Sequence, residues 1–259
     1  MHNHDDLPDS PLRRTMLLGA LAGTALPLHA GPRELLVAGA HFPRVYEREN
    51  GEFLGLGPEI LRAIAPQLGQ PLHFDLFPWP RAQSMVAQGQ ADLLVGPYKS
   101  PERLRLFSFS ERPFYVDDML FYARADSRFE WDGRYRSLRG KRVVAINGWA
   151  YGDQFDAARA GMNISLTNSV ESGLTMLAHN RVDLFATNRR NTEQAVTLLG
   201  LDGKVMPQGR RIAGQSGYFA VPKRPEYAPL LTRLDRAFNA YVDAGELRKL
   251  GRKFNVAVS

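Results

Sequence analysis

The chain has 259 residues, 44% hydrophobic and 23% charged, with 17 prolines and 23 glycines scattered along it. That is room for one large domain or two ordinary lobes, and it excludes a fibrous repeat or wholesale disorder. The absence of cysteine excludes disulfides, thiolate metal sites, cysteine nucleophiles and a lipid-modified N-terminal cysteine, and the formal charge is +6.

Leu12-Arg13-Arg14-Thr15 precedes an apolar run of small residues from Met16 to Leu28, which closes as Pro27-Leu28-His29-Ala30. A basic start, a short apolar stretch and a small residue at the cut are the parts of a signal peptide, expected over residues 1–30. As a helix that run rises about 20 Å, short of the roughly 30 Å of a hydrocarbon core. The paired arginines favour twin-arginine export, whereas Met16 and the lack of a lysine after Leu17 favour ordinary secretion; both routes stay open. Cleavage removes two arginines and three aspartates, which raises the net charge to +7. The expected location is the periplasm, without a lipid anchor and without nucleic acid as partner. The positive charge then reads as solubility or as attraction for anionic solutes.

Residues 34–40 (ELLVAGA) read as a short apolar strand. Gly57-Pro58 opens a helix, since proline in the first turn costs no backbone donor, and Ile60, Leu61, Ile64, Ala65 and Leu68 make its apolar face before Gly69 stops it. A strand over 73–77, a short helix over 81–88 ended by Gly89, and a buried strand over 91–95 (ADLLV) complete the first unit. The second unit follows a strand-like 119–123. It has a strand over 142–146, a helix near 151–160, a short strand over 164–167, a helix over 171–179 and a strand over 182–186 (VDLFA) that repeats ADLLV. A strong helix starts at Pro229 with Leu230, Leu231, Leu234, Ala237, Phe238, Tyr241 and Val242 at helical spacing. Gly245 ends it, and a short helix over 246–254 follows.

Such alternation implies an α/β fold with mostly parallel sheets flanked by helices. No flexible linker separates the units, so the joins are expected to be short and ordered, at 121–125 and 216–221. The expected division is a first lobe of 31–122 and 218–259 around a second lobe of 123–217. A cleft between two such lobes is a common place for a small ligand.

Several stretches in this order carry a resemblance: Asn50-Gly51-Glu52-Phe53-Leu54-Gly55, Phe77-Pro78-Trp79-Pro80-Arg81-Ala82, Gly89-Gln90-Ala91-Asp92, Tyr98-Lys99-Ser100-Pro101-Glu102-Arg103 and Pro113-Phe114-Tyr115. Leu138-Arg139-Gly140-Lys141, Gly148-Trp149-Ala150-Tyr151-Gly152 and Asn180-Arg181-Val182-Asp183 continue it. Over residues 33–256 the sequence resembles the bacterial extracellular solute-binding proteins of family 3. The resemblance implies a two-lobed, periplasmic-binding-protein-like fold (type II) with two hinge crossings, and a monomer that feeds an ABC permease in the inner membrane.

The resemblance places Arg103 at the carboxylate-binding arginine, and a guanidinium grips a carboxylate bidentately while staying charged. A surface arginine beside Glu102 is the plainer alternative. Tyr98 falls where relatives offer a small hydroxyl residue, and Trp79, held between two prolines, where ligands stack; both also suit ordinary packing. Arg81 is either an anion partner or a surface cation. Trp149, Ala150 and Tyr151 fall at an expected helix start after Gly148, whose free N–H groups suit an anion, though Gly148 and Gly152 also read as turn residues. His41 and Phe42 are expected on the wall of the first lobe. Where amino-acid-binding relatives place an aspartate, this chain has Asn188, and residues 38–41 (AGAH) lack the other usual acid. An ammonium without a counter-charge is expensive to desolvate, so a carboxylate-bearing or otherwise anionic solute is expected, with a free amine disfavoured.

No metal or cofactor is expected, since His41, His73 and His179 lack metal-ligand spacing. Gly55-Leu56-Gly57 lacks the third glycine of a dinucleotide loop, 214–217 lacks the spacing of a nucleophile elbow, and no catalytic residue is assigned. The basic stretch 124–142 reads as a solvated surface. The expected function is capture of a small carboxylate-bearing solute, amino-acid-like or organic-acid, by hinge closure. The alternatives are an enzyme on the same scaffold, like the cyclohexadienyl dehydratases, or a ligand-dependent partner of a membrane receptor.

Overall fold

Residues 33–258 are described by a computed structural model, and the expected signal peptide over 1–30 lies outside the described residues. The chain runs β1 (Leu35–Gly39), β2 (Glu47–Glu49), β3 (Glu52–Leu54), α1 (Leu56–Leu68), β4 (Leu72–Leu76), α2 (Trp79–Ala87), β5 (Leu93–Tyr98), α3 (Arg103–Leu106) and β6 (Phe107–Phe109). It continues through β7 (Tyr115–Arg124), β8 (Arg142–Ile146), α4 (Asp153–Ala158), β9 (Asn163–Thr167), α5 (Val170–Ala178), β10 (Leu184–Asn188) and α6 (Arg189–Leu198). β11 (Val205–Pro222), α7 (Ala228–Asp243) and α8 (Glu246–Phe254) close the described chain.

Two blocks of three parallel strands have the same order, β4-β1-β5 and β9-β8-β10, and each is the sheet of one lobe. Two long antiparallel strands join them: β7 pairs with β10 and β11, and β11 pairs with β5 and β6. The repeated aspartates have one job in both blocks. Asp92 precedes β5 and accepts from the Leu36 N–H of neighbouring β1 at 2.8 Å; Asp183 precedes β10 and accepts from the Arg142 N–H of β8 at 2.7 Å. Each also meets an arginine, Arg33 at 2.9 Å and Arg142 at 2.7 Å. Each carboxylate thus satisfies a backbone donor near the start of the central strand of its block, where a bare N–H would go unpaired.

The strands of the second lobe are covered on both faces, as parallel sheets require. Val143 and Ala145 point to one core with Trp131, Leu138 and Phe155, while Val144 and Ile146 point to another with Val170, Leu174 and Leu177. In the first lobe α1 buries Ile60, Leu61, Ile64 and Leu68, and α7 buries Leu230, Leu234, Ala237 and Phe238.

Three elements differ from the sequence expectation. The helix expected near 151–160 begins at Asp153, after Gly152. α6 has no apolar periodicity to announce it, because its buried face is partly polar: Arg190, Asn191 and Thr192 precede Ala195 and Val196. The sequence reading assigns no element to the first half of β11, with its Pro207, Gly209 and arginines, yet it is held as strand by its ladder with β7.

Asp92 is 1% exposed, and its Oδ1 also accepts from Tyr227 Oη at 3.1 Å. Asp92→Ala strands these donors and is expected to lower the unfolding free energy by about 2–4 kcal/mol, measured by urea denaturation. The Asp183 carboxyl is held below its ordinary value, chiefly by the Arg142 hydrogen bond and against partial burial. Its stabilisation is full above the unfolded-state value near 3.8 and is lost as pH falls through the lower folded-state value. Asp183→Asn is therefore expected to flatten the acid limb of the melting temperature plotted against pH.

Candidate functional site

Where β5 ends, the turn through Ser100 and Pro101 tightens into the single helical turn of α3, which points Arg103 back into the cleft. Arg103 is 5% exposed. Its Nε donates to Gln83 Oε1 at 2.9 Å, Nη1 to the Tyr98 carbonyl at 2.9 Å, and Nη2 across the cleft to the Gly148 carbonyl at 2.7 Å. Trp79 Nε1 donates to the same Gly148 carbonyl at 3.0 Å, and the guanidinium lies 5.4 Å from the centre of a Trp79 ring. Gly148 has φ +72°, a left-handed conformation that glycine adopts without strain, and Trp79 Cδ1 would be 3.5 Å from an added Cβ. Burial pulls the Arg103 pKa down to about 10, so the group stays charged at neutral pH. Among the described residues Arg103 makes no salt bridge; its acceptors are an amide and two carbonyls.

Behind it lies a buried ion pair that the sequence reading missed. Arg190, at the start of α6, grips Asp117 of β7 bidentately, Nε to Oδ1 at 3.0 Å and Nη2 to Oδ2 at 2.7 Å. Its Nη1 donates to the Pro43 carbonyl of the first lobe and to Asn191 Oδ1. Tyr98 Oη donates to Asp117 Oδ2 at 2.6 Å, and Asn188 Nδ2 donates to the same oxygen at 3.1 Å. Burial disfavours the charged guanidinium of Arg190, but Asp117 outweighs it, and the Arg190 pKa lies above its ordinary value. The cleft therefore does hold a carboxylate, supplied by a connecting strand and already matched by a cation. The sequence signal was Asp117-Asp118 inside an apolar strand and Arg189-Arg190 directly after Asn188.

The structure brings Phe42, Trp79, Tyr98, Arg103 and Trp149 together around a space of about 10 Å³, barely one water. His41 joins Phe42, Trp79 and Trp149 in an adjoining chamber of about 450 Å³. Ala150 lines a side depression of about 370 Å³ with Arg103, Asp156 and Arg159. Three expected residues line none of these spaces. Arg81 is exposed on α2 and lines none of these spaces. Tyr151 is wholly buried, its Oη accepting from the Ile146 N–H and donating to the Ala186 carbonyl, so it braces the second lobe. Asn188 caps α6, its Oδ1 accepting from the Asn191 N–H, and its amide is spent on Asp117 and Tyr98. The expected helix start after Gly148 is also corrected: the segment is a turn, and it presents a carbonyl to Arg103 in place of N–H donors. Among the described residues no group of three or more His, Asp or Glu side chains is placed to hold a metal ion.

The family profile of the bacterial extracellular solute-binding proteins, family 3, matches residues 35–257. The chain belongs to that family. Solved structures share its two-lobed fold. A histidine kinase sensor domain with similarity to periplasmic binding proteins is 24% identical, with a TM-score of 0.78 over 88% of this chain and 99% of that one. The substrate binding protein of an amino acid ABC transporter is 19% identical, with a TM-score of 0.71 over 86% and 99%. The arginine-, lysine-, histidine-binding protein ArtJ from Geobacillus stearothermophilus is 16% identical, with a TM-score of 0.72 over 86% and 95%. Comparison with curated protein sequences returns no match. No helix among the described residues is long and apolar enough to cross a membrane.

In this solute-binding protein the Asp117–Arg190 pair is 2% and 7% exposed at its side chains and spans both lobes. Removing one buried charge leaves the other without a partner. Arg190→Met is expected to destabilise the fold by about 3–5 kcal/mol, and Asp117→Leu added to it to recover most of that loss, both read by chemical denaturation.

Proposed function

We propose that the chain is a periplasmic solute-binding protein that captures a small carboxylate-bearing solute between its lobes and delivers it to an ABC permease of the inner membrane, working as a monomer. The observation that carries this reading is Arg103, a desolvated cation at the lobe interface whose acceptors are all neutral. When the lobes part, with residues 31–122 and 218–259 moving against 123–217 about the joins at 121–125 and 216–221, Arg103 Nη2 and Trp79 Nε1 lose the Gly148 carbonyl together. A solute carboxylate entering there accepts both donors. A carboxylate adds ion pairing and a bidentate geometry that a single peptide carbonyl cannot offer a guanidinium. The solute then bridges the lobes and favours closure by the difference in its affinity for the two forms.

Capture without chemistry is supported by the innermost carboxylate, Asp117, whose oxygens are already engaged by Arg190, Tyr98 and Asn188. A dehydratase on this scaffold is therefore disfavoured. The likeness to a histidine kinase sensor domain supports a second reading, in which the liganded form docks to a membrane receptor.

A thermal-shift screen over amino acids, dicarboxylates and aromatic acids tests the first reading. The solute that raises the wild-type melting temperature is expected to give no shift with Arg103→Ala and a reduced one with Arg103→Lys, each variant first checked for native circular dichroism. Full stabilisation of both variants by the same solute would remove Arg103 from the site.

A further inference from the structure

The chamber of about 450 Å³ beside Arg103 has the size of a small-molecule site and a wall of unusual composition. On the first lobe it is lined by Phe42, Phe77 and Trp79, and on the second by Trp149, Asn191 and the start of α5. Phe42 meets the Trp79 ring at 5.2 Å and 64°, and the Trp149 ring at 6.4 Å and 67°. Those three rings also border the small space at Arg103, so the chamber and the arginine belong to one continuous cleft.

Three polar donors on this wall have no protein acceptor among the described residues. Asn191 is 5% exposed; Arg190 can only donate, so the Asn191 Oδ1 must face Arg190 Nη1, at 2.8 Å, and Nδ2 is turned away from it. That Nδ2 meets no protein acceptor among the described residues. At the start of α5, Ser169 Oγ accepts from the Ser172 N–H and the Ser169 carbonyl from the Gly173 N–H. The N–H groups of Val170 and Glu171, which also line the chamber, are left without protein acceptors among the described residues. The one acidic side chain on this wall is Glu171, exposed at its rim.

We propose that the solute is aromatic and carries a second carboxylate at the end remote from Arg103: its ring fills the chamber among Phe42, Trp79 and Trp149, and the remote carboxylate accepts from Asn191 Nδ2 and the first N–H groups of α5. This rests on the reading of Arg103 as the anchor of the first carboxylate. An aromatic wall gives contact area at little entropic cost. The buried amide supplies specificity, since a solute lacking the remote oxygens leaves those donors unpaired. Glu171 opposes the same group and tunes affinity downward.

Isothermal titration with 4-carboxyphenylacetate, phenylacetate and adipate tests the proposal. The first is expected to bind about tenfold or more tightly than the other two, since phenylacetate lacks the remote group and adipate the ring. Asn191→Asp keeps the acceptor that Arg190 needs and removes the donors; it is expected to weaken 4-carboxyphenylacetate about tenfold and to leave phenylacetate unchanged. Glu171→Gln is expected to tighten 4-carboxyphenylacetate several-fold. Adipate binding as well as the aromatic diacid, or Asn191→Asp without effect on the diacid, overturns the chamber assignment. Arg103→Lys weakens all three ligands if the anchor is right, and its failure to do so overturns the anchor while the Asn191 result stands by itself.

Discussion

Two guanidinium groups are held out of water in the cleft, and only one of them has a counter-ion. Arg190 is matched by Asp117; Arg103 is matched by an amide and two carbonyls. Removing a cation from water is expensive, and dipoles compensate it less completely than an anion does. The arrangement around Arg190 is therefore a finished piece of structure, whereas that around Arg103 can be improved by an incoming anion. Most of what the cleft can do follows from this asymmetry.

The architecture serves it directly. Each lobe contains the same three-strand parallel block, with an aspartate before one strand bonded to the backbone of its neighbour. Both faces of β8 in the second block are covered, and the antiparallel strands β7 and β11 carry the connection between the blocks. Asp117 lies on one of those strands and pairs with Arg190, while Arg103 and Trp79 both meet the Gly148 carbonyl. The charge pair therefore fixes one contact across the cleft, and hydrogen bonds to a single carbonyl make another.

Much of the fold was legible in the sequence. The helical spacing of Ile60, Leu61, Ile64 and Leu68, the apolar strands ADLLV and VDLFA, and the proline and glycine signals around α7 all mark burial, and burial of apolar side chains leaves a period. α6 was not legible because its inner face is polar, and a polar face has no period to read. The first half of β11 was hidden for the opposite reason: its residues have weak strand preference, and the ladder with β7 overrides it. Arg103, Tyr98 and Trp79, placed by the resemblance, are gathered in space with Trp149, His41 and Phe42, while Arg81, read as a helix-start cation, and Tyr151, read at an expected helix start, line none of these spaces.

By itself the sequence determined the α/β alternation and the lack of any thiol chemistry, because these depend on residue type and local spacing; the candidate cleft residues came from the resemblance to a family. Only the tertiary structure decided which charges neutralise one another. Asp117 and Arg190 are 73 residues apart, and Arg103 and Gly148 are 45 apart. Whether a buried charge is satisfied depends on distances of about 3 Å, which local spacing along a chain does not encode.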